Sequence, residues 1–492
     1  MPIQIDIDEK FQTIEGFGAS DAWNCEEVGK YWPTEKKERI AELLFSTEMN
    51  ADGGPRGIGL SRWRFNVGAG STEQAEESQI VNPHRRVECF LNEDGSYDWS
   101  KQAGQQWFLR KAADYGVKHR VIFSNSPPVF FTKNGLAHGS EGFDANLRVD
   151  AYDDFAEFLA EVLLHFEEQE LGFSEISPIN EPQWEWKSDK QEGSPWRNHE
   201  IASVVRELDG ALIRRSLDVP ISIPEAAHLK FLYQEGKRAE QGNQIYEFFD
   251  SQSENYVRDL QNVPNMVCGH SYWSVYTDEM LKDTRSKVRE TCEKHGLSFH
   301  QSEYSLIGLD QIKDHKPETE WEIAMFIARV IHADLTIANS AVWSFWTALA
   351  DEKPSVKNRY ALITLKNRYP WGDTEPVFRA TKTLWALGHY SRFIRPGYHR
   401  VALSGLPELG NVFGSAYLAE DSKELIIVSQ NMGANEVRLK LGDSILAHFG
   451  GKSVSSYLSD EHHELSPSEL DFRDGILILP GKSMLTVVIP IL

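Results

Sequence analysis

The sequence predicts an α/β fold: a (β/α)8 TIM barrel with an all-β sandwich built from the N-terminal strand and the C-terminal region. Three observations predict it. Eight short apolar runs alternate with stretches of helical period between residues 16 and 394. After Gly397 the texture changes to brief β-rich runs separated by Gly, Asn, Asp and Ser. The opening residues 3–14, IQIDIDEKFQTI, alternate apolar and polar like a strand and have no helix before the first run.

The eight runs are GFGASDAW (16–23), GLSRWRFNVG (59–68), HRVIFSNSP (119–127), EISPINEP (175–182), PISIPEA (220–226), MVCGHSYW (266–273), LSFHQSEYS (297–305) and SAVWSFWTAL (340–349). Between them, residues 150–166 carry Tyr152, Phe155, Leu159, Val162 and Phe166 in steps of 3, 4, 3 and 4. That spacing lines one face of a helix with apolar side chains. Residues 198–217, 319–338 and 377–394 also read as helices. An open doubly wound sheet is the competitor, but GFGASD lacks the third glycine of a phosphate-binding turn. No Walker loop, HExxH or GxSxG occurs either, which weighs against nucleotide, zinc-protease and serine-hydrolase chemistry. The C-terminal runs are VALSG, NVFGSAYLA, ELIIVSQNM, EVRLKLG, SVSSYLS and MLTVVIPIL. The predicted division is therefore a catalytic barrel over 16–394 and a sandwich from 1–15 plus 395–492.

Composition narrows the function. A length of 492 residues allows about three domains at roughly 150 each, which the alternation reduces to two. Subtracting 74 acidic from 51 basic residues leaves −23, which opposes nucleic acid or an anionic membrane as a partner. It also weighs slightly against an acidic polymer as substrate. The 14 Trp, 16 Tyr and 25 Phe fill a core, and some of them suit the faces of sugars. Cys25, Cys89, Cys268 and Cys292 form no CxxC or Cys/His cluster, so no structural zinc site is expected. No apolar run reaches the roughly 20 residues of a membrane span. The N-terminus lacks an apolar h-region, so no signal peptide is predicted in this chain.

In such barrels the active site lies at the C-terminal ends of the strands. Run four ends in Ser177-Pro178-Ile179-Asn180-Glu181-Pro182, and run seven ends in His300-Gln301-Ser302-Glu303-Tyr304. Two facing carboxyls serve glycosidic-bond cleavage: one protonates the leaving oxygen while the other attacks the anomeric carbon. Glu181 and Glu303 are the predicted catalytic pair.

Asn-Glu at the end of strand four with Glu at the end of strand seven resembles the clan of retaining (β/α)8-barrel glycosidases. More narrowly, the chain resembles glycoside hydrolase family 30. The stretches that carry the resemblance are IEGFGAS (14–20), Ser126-Pro127-Pro128, SPINEPQW (177–184), Ser302-Glu303 and LGHYSRFIRPG (387–397). By this resemblance Glu181 is the general acid/base and Glu303 the nucleophile. Arg64 matches an arginine placed beside the nucleophile, and Tyr272 a strand-six tyrosine that donates to the same carboxylate. Asn180 is expected to hold the sugar's 2-hydroxyl.

Trp346 is the expected floor beneath the sugar at the cleavage point. Regular strand alternation puts Trp343 on the opposite face, in the core. Trp184 and Trp186 follow the acid/base on a loop, as a subsite wall or as loop packing. With Trp273 they fall at the catalytic face. Glu225 and Asn125 are weaker candidate substrate contacts.

The Gln183-Trp184-Glu185-Trp186 continuation looks most like the endo-β-1,6-galactanase branch. The implied function is a retaining galactanase on a polysaccharide or oligosaccharide, with no metal or organic cofactor, as a monomer without membrane insertion. Such a substrate implies a secreted or periplasmic protein, with the cytoplasm left open. The alternatives are a β-1,6-glucanase, a xylanase, an exo-acting β-glycosidase or a non-catalytic glycan-binding protein. A barrel lyase or isomerase would want a Lys base or a metal cluster.

Overall fold

A computed structural model describes every residue except 1, 188, 237–238, 373, 422, 443–444, 446–453, 470–474 and 492. The predicted run ends Ser453 and Leu492 lie outside the described residues. Strand β1 (Gln4–Thr13) precedes a parallel sheet of β2 (Gly16–Ser20), β3 (Arg62–Val67), β4 (His119–Ser124), β5 (Glu175–Ser177), β6 (Met266–His270), β7 (Ser298–Tyr304) and β8 (Ser340–Phe345). Its order is β5-β4-β3-β2-β8-β7-β6, so the first and last barrel strands are neighbours and the sheet curls on itself.

The gap between β5 and β6 is crossed by residues 220–226, the fifth predicted run. Ile176 N donates to Pro220 O and Ser222 N to Ile176 O on one side. Cys268 N donates to Ile223 O and His270 N to Ala226 O on the other. The ring closes through this segment, yet it is not a regular strand. Pro220 and Pro224 have no N–H to give to a ladder.

Helices cover the outside of the barrel. Tyr152–Glu168 buries Phe155, Leu159, Val162 and Phe166, the predicted stripe. Asn198–Arg214 begins where the Glu200 carboxylate accepts from Arg197 N at 2.8 Å. Glu320–Thr336 starts at Thr319, whose hydroxyl accepts from Glu322 N. This helix is buried on nearly every face, as suits an element lying between two layers. Its outer side is bound by Gln430, which donates to Met325 O, and by Lys482 O, which accepts from Trp321 Nε1. The stretch 377–394 departs from the predicted helix. Val377–Ala380 is a strand against Ile363–Lys366, and the helix runs only over Lys382–Ser391. Thr381 decides the boundary: its hydroxyl accepts from Leu384 N and caps the helix there.

The outer layer is a seven-stranded antiparallel sheet in which β1 pairs with His399–Ser404. Val412–Leu418, Glu424–Asn431, Ser483–Pro490 and Ser455–Ser459 follow in order. Alternation along Glu424–Asn431 shows why it lies here. Ile426 and Val428 join the barrel-side core, whereas Leu425 and Ile427 join a second core with Ile5, Leu485 and Val487. A strand apolar on both faces is buried on both. Val437–Lys440 pairs with Ile476–Leu479 as a separate ribbon.

Candidate active site

A cleft of ≈ 430 Å³ opens at the C-terminal ends of the barrel strands. The connections after the strands build it: Trp23 follows β2, Arg85 follows β3, Trp186 follows β5, Trp273 follows β6 and Trp346 follows β8. Glu181 and Glu303 both face this cleft.

Glu303 stands near the end of β7, where both of its oxygens accept hydrogen bonds. Arg64 Nη1, from β3, donates to Oε2 at 2.9 Å, and Tyr272 OH, just beyond β6, donates to Oε1 at 3.0 Å. That is the arrangement an ionised, acceptor-only carboxylate takes. Glu181 sits four residues past β5 with φ +42°, and Glu225 at the end of the fifth segment has φ +54°. Left-handed backbone is costly for a side chain of this size, and it persists where the surroundings dictate it. Here the two strained residues are joined, Glu181 N donating to Glu225 O at 3.0 Å.

His270 lies between them. Its Nδ1 is 3.0 Å from Glu181 Oε1 and 3.7 Å from Glu303 Oε1, while its Nε2 is 3.0 Å from Glu225 Oε2. Ser302 also donates to Glu225, and Arg64 Nη2 lies 3.6 Å from it. One oxygen each of Glu181 and Glu303 therefore lies within 4.8 Å of the other.

The electrostatics separate the three carboxyls. Burial raises Glu181 above the ordinary carboxylate range, against the pull of His270. Burial also opposes ionisation of Glu225, but Arg64, His270 and Ser302 hold it at about 2. For His270, burial disfavours the charge, yet Glu303, Glu181 and Glu225 lift it to about 10. The ring is thus an imidazolium at neutral pH. Two cations, Arg64 and His270, thus face three carboxyls, and Glu181 is the one at which burial favours the protonated form. Burial pushes the Tyr272 phenol well above its usual range, so it stays a donor.

Two triads of potential metal ligands occur among the described residues, Glu181-His270-Glu303 and Glu175-Cys268-His300. In each, a guanidinium already binds a member carboxylate: Arg64 on Glu303 and Arg62 on Glu175. The positive charge that a cation would bring is already supplied.

The model of O-glycosyl hydrolase family 30 matches residues 1–355. The chain belongs to that family. A crystal structure of a conserved exported protein from Bacteroides fragilis is 33% identical, with a TM-score of 0.91 over 99% of this chain and 100% of that one. The endo-β-1,6-galactanase of Hypocrea rufa is 28% identical over 232 residues, 44% of this chain and 47% of that protein. The glucuronoxylanase XynC of Bacillus subtilis is 20% identical over 78% of this chain and 77% of its own length. The chain thus spans about half the length of the curated galactanase it matches.

Within this family-30 chain, the cleft takes in some of the residues expected from sequence and leaves others behind its wall. Glu181, Glu303, Asn180, Tyr272, Trp186 and Trp346 line it. Trp346 is half-buried and meets Trp23 edge-on at 5.2 Å, while Trp343 is fully buried and donates to Asp334. Trp186 Nε1 donates to Glu181 O at 3.0 Å, and its ring packs on Gly193, where a Cβ would come within 2.3 Å.

Trp184 is outside the lining and packs edge-on against Trp273, 5.0 Å away. Arg64, Asn125 and Glu225 lie one layer beneath the wall, each about 1% exposed. Asn180 Nδ2 donates to Asn125 Oδ1 and Asn125 Nδ2 to Asn66 Oδ1, both at 3.0 Å. The buried Asn180 Oδ1 has no partner among the described residues, an acceptor available to a sugar hydroxyl.

Sequence reasoning gave no role to His270, Ser302 or Trp23. The signal for His270 was present, because it stands two residues before Tyr272 and close to the end of its run. Trp23 carried the same signal, since it is the last residue of the first run.

Proposed function

We propose that this protein is a retaining glycoside hydrolase that cleaves β-1,6-linked galactan. One observation carries the reading: two carboxyls with oxygens within 4.8 Å share a cleft, one pushed toward its protonated form by burial and the other held by Arg64 and Tyr272. Retaining glycosidases hold these groups roughly 5–5.5 Å apart, whereas inverting enzymes leave room for a water between them. Glu303 attacks the anomeric carbon as Glu181 gives its proton to the leaving oxygen, forming a glycosyl-enzyme. Glu181, now a carboxylate beside the His270 imidazolium, then takes a proton from the incoming water.

The charge count supports this cycle. Before attack the cluster is neutral with Glu181 protonated; after attack Glu303 is an uncharged ester and Glu181 carries the charge, so neutrality is kept. The four tryptophans Trp23, Trp186, Trp273 and Trp346 give the cleft flat apolar walls of the kind sugar faces stack on. The choice of galactan rests on the similarity to the Hypocrea rufa enzyme, which extends over 47% of that enzyme's length, and on the Gln183-Trp184-Glu185-Trp186 continuation after the acid/base. The pairing of Gln4–Thr13 with His399–Ser404 supports reading residues 1–15 and 395–492 as one side unit. No helix of the described residues is long and apolar enough to cross a membrane, and a polysaccharide substrate favours a secreted or periplasmic setting.

The test is product analysis on β-1,6-galactan, β-1,6-glucan and glucuronoxylan. Galactan is expected to give the highest kcat/KM, with the product's anomeric configuration retained by NMR. Faster cleavage of glucan or xylan overturns the substrate, and an inverted product overturns the mechanism. Glu303→Gln should lose at least about 10⁴-fold in kcat. Glu181→Gln should keep more activity on substrates with good leaving groups than on galactan, since these need no proton.

A further inference from the structure

Glu192 lies in the loop after β5, fully buried, and no step of the proposed cycle uses it. Both of its oxygens accept from the loop after β3, which leaves the sheet two strands away. Oε2 accepts from Ala69 N at 3.1 Å, and Oε1 accepts from Ser71 N at 3.2 Å and the Ser71 hydroxyl at 2.6 Å. No cation pairs with the carboxyl among the described residues. Burial lifts its pKa to about 7 and the Glu73 carboxylate adds to the rise, while Ser71 and Ala69 pull it down. A buried carboxyl without a counter-ion is costly. An amide could not take its place unchanged, because its NH2 would turn a donor toward one of three donors.

Each end of this tie leads to the cleft. On the β5 side the next residue, Gly193, packs against the Trp186 ring so closely that a Cβ would come within 2.3 Å. Gly193 N donates to Ala137 O at 2.9 Å, and the Trp186 Nε1 donates to Glu181 O. On the β3 side the Ser71 hydroxyl accepts from Val87 N at 2.9 Å, and Thr72 N donates to Val87 O at 3.1 Å. These bonds fix the stretch that carries Arg85, whose guanidinium lies over the Trp23 ring, 4.7 Å from its centroid. Trp23 in turn meets Trp346 edge-on. A second bond joins the two loops farther along, from Val81 N to Asp189 O at 2.9 Å. Both of those residues are exposed, so that bond competes with water, whereas the buried one does not.

We propose that Glu192 is a positioning residue for the sugar-binding walls. It buckles the loops after β3 and β5 together, and through them it sets Trp186 beside Glu181 and the Arg85–Trp23 stack beside Trp346. Glu192 does not itself line the cleft, so it acts only through these side chains. The inference rests on the cleft being the sugar-binding site argued above.

Two measurements test it. In the first, backbone hydrogen exchange is followed by mass spectrometry in peptides covering 69–90 and 182–197, with peptides from β3 and β7 as the internal reference. Glu192→Gln should speed exchange at least about tenfold in both loops and leave the strands unchanged. Ser71→Ala removes one donor and keeps the carboxyl, and it should have a smaller effect that still reaches both loops. If Glu192→Gln does not fold, Ser71→Ala decides by the same criterion. Unchanged exchange, or faster exchange in only one loop, overturns the proposal. Faster exchange in every peptide, which marks a general loss of stability, overturns it too.

In the second, steady-state kinetics are measured on β-1,6-galactooligosaccharides. Glu192→Gln should raise KM at least about fivefold and leave kcat within about threefold. The rate is spared because Glu181 keeps its bonds to His270 and Glu225. A role in stability alone would lower the folded fraction, so kcat would fall at constant KM. That outcome, or an unchanged KM beside faster exchange, overturns the positioning role. Cleavage of no oligosaccharide by the wild-type protein overturns the galactan reading instead, and the exchange measurement then decides Glu192 by itself.

Discussion

Two arginines on β3 point into the barrel two residues apart, and each meets a glutamate from another strand. Arg62 binds Glu175 at 2.5 Å toward the floor, and Arg64 binds Glu303 at 2.9 Å toward the cleft. All four side chains are almost fully buried. The floor pair is one cation for one anion, and neither member lines the cleft. The upper pair is embedded in a set of three carboxyls and two cations, framed by the left-handed residues Glu181 and Glu225. The same bond thus closes a core at one end of the strand and holds the proposed nucleophile at the other. What separates them is stoichiometry and access: a spare proton, a strained backbone and an open wall. Identical chemistry in a barrel interior is therefore set apart where the neighbouring strands leave its charges incomplete and open it to a cleft.

Arg64→Met should break the comparison most sharply. It leaves Glu303 and Glu225 facing each other across His270 alone, and a fall in kcat/KM of about 10²–10³-fold is expected. A loss smaller than tenfold, with folding intact by circular dichroism, would remove Arg64 from the charge balance. Arg62→Met should act on the other axis. Leaving Glu175 buried without its cation should lower unfolding free energy by about 3–5 kcal/mol, read as a reduced urea midpoint. Turnover per folded molecule should stay within about twofold at low temperature, because no step of the proposed cycle uses the floor. Equal losses of turnover in the two variants would mean that the ends of β3 are not functionally distinct.

Much of this contrast was legible in the sequence. The strand-end rule placed Glu181 and Glu303 at one end of the barrel, because the C-terminal ends of the strands converge, and the family resemblance added Arg64 and Tyr272. Seven of the eight predicted runs form regular strands. The fifth does not, since two prolines within seven residues remove its donors, although it still closes the ring. The strands Leu349–Asp351, Ile363–Lys366 and Val377–Ala380, which make a small sheet after β8, have no counterpart among the predicted runs. They are too short for a period of two to stand out, and the last of them merges with the helical pattern of Lys382–Ser391.

The site was legible only at the level of single strands. The grouping of Glu225, His270 and Glu181 depends on positive φ at two glutamates, which no propensity predicts for that residue. The contact of Arg85 with Trp23 depends on two loops that leave different strands. Chain path through loops is fixed by such tertiary contacts as the buried Glu192 carboxylate, which accepts from Ala69 N, Ser71 N and the Ser71 hydroxyl and ties the loop after β5 to that after β3.

The smallest expected effect tests whether the spare proton is shared as the charge count requires. His270→Gln keeps a side chain that can donate to Glu181 and removes the positive charge. Without the imidazolium, the pull that opposes burial at Glu181 is weakened, so its pKa rises further. Glu181 must be protonated for the first step, so the alkaline limb of kcat/KM against pH should move to higher pH. The maximal rate should fall, because the carboxylate formed in the second half of the cycle has lost its counter-charge. Stability should respond with the opposite dependence. His270 has its folded pKa raised to about 10, so its contribution is complete below about 6.5 and is lost as pH climbs toward 10. The wild-type protein should therefore lose part of its stability across that window, and the His270→Gln protein should lose less. An alkaline limb that moves to lower pH in the variant would show that the imidazolium is not what restrains Glu181, and the upper cluster would then be no more than a second structural ion pair.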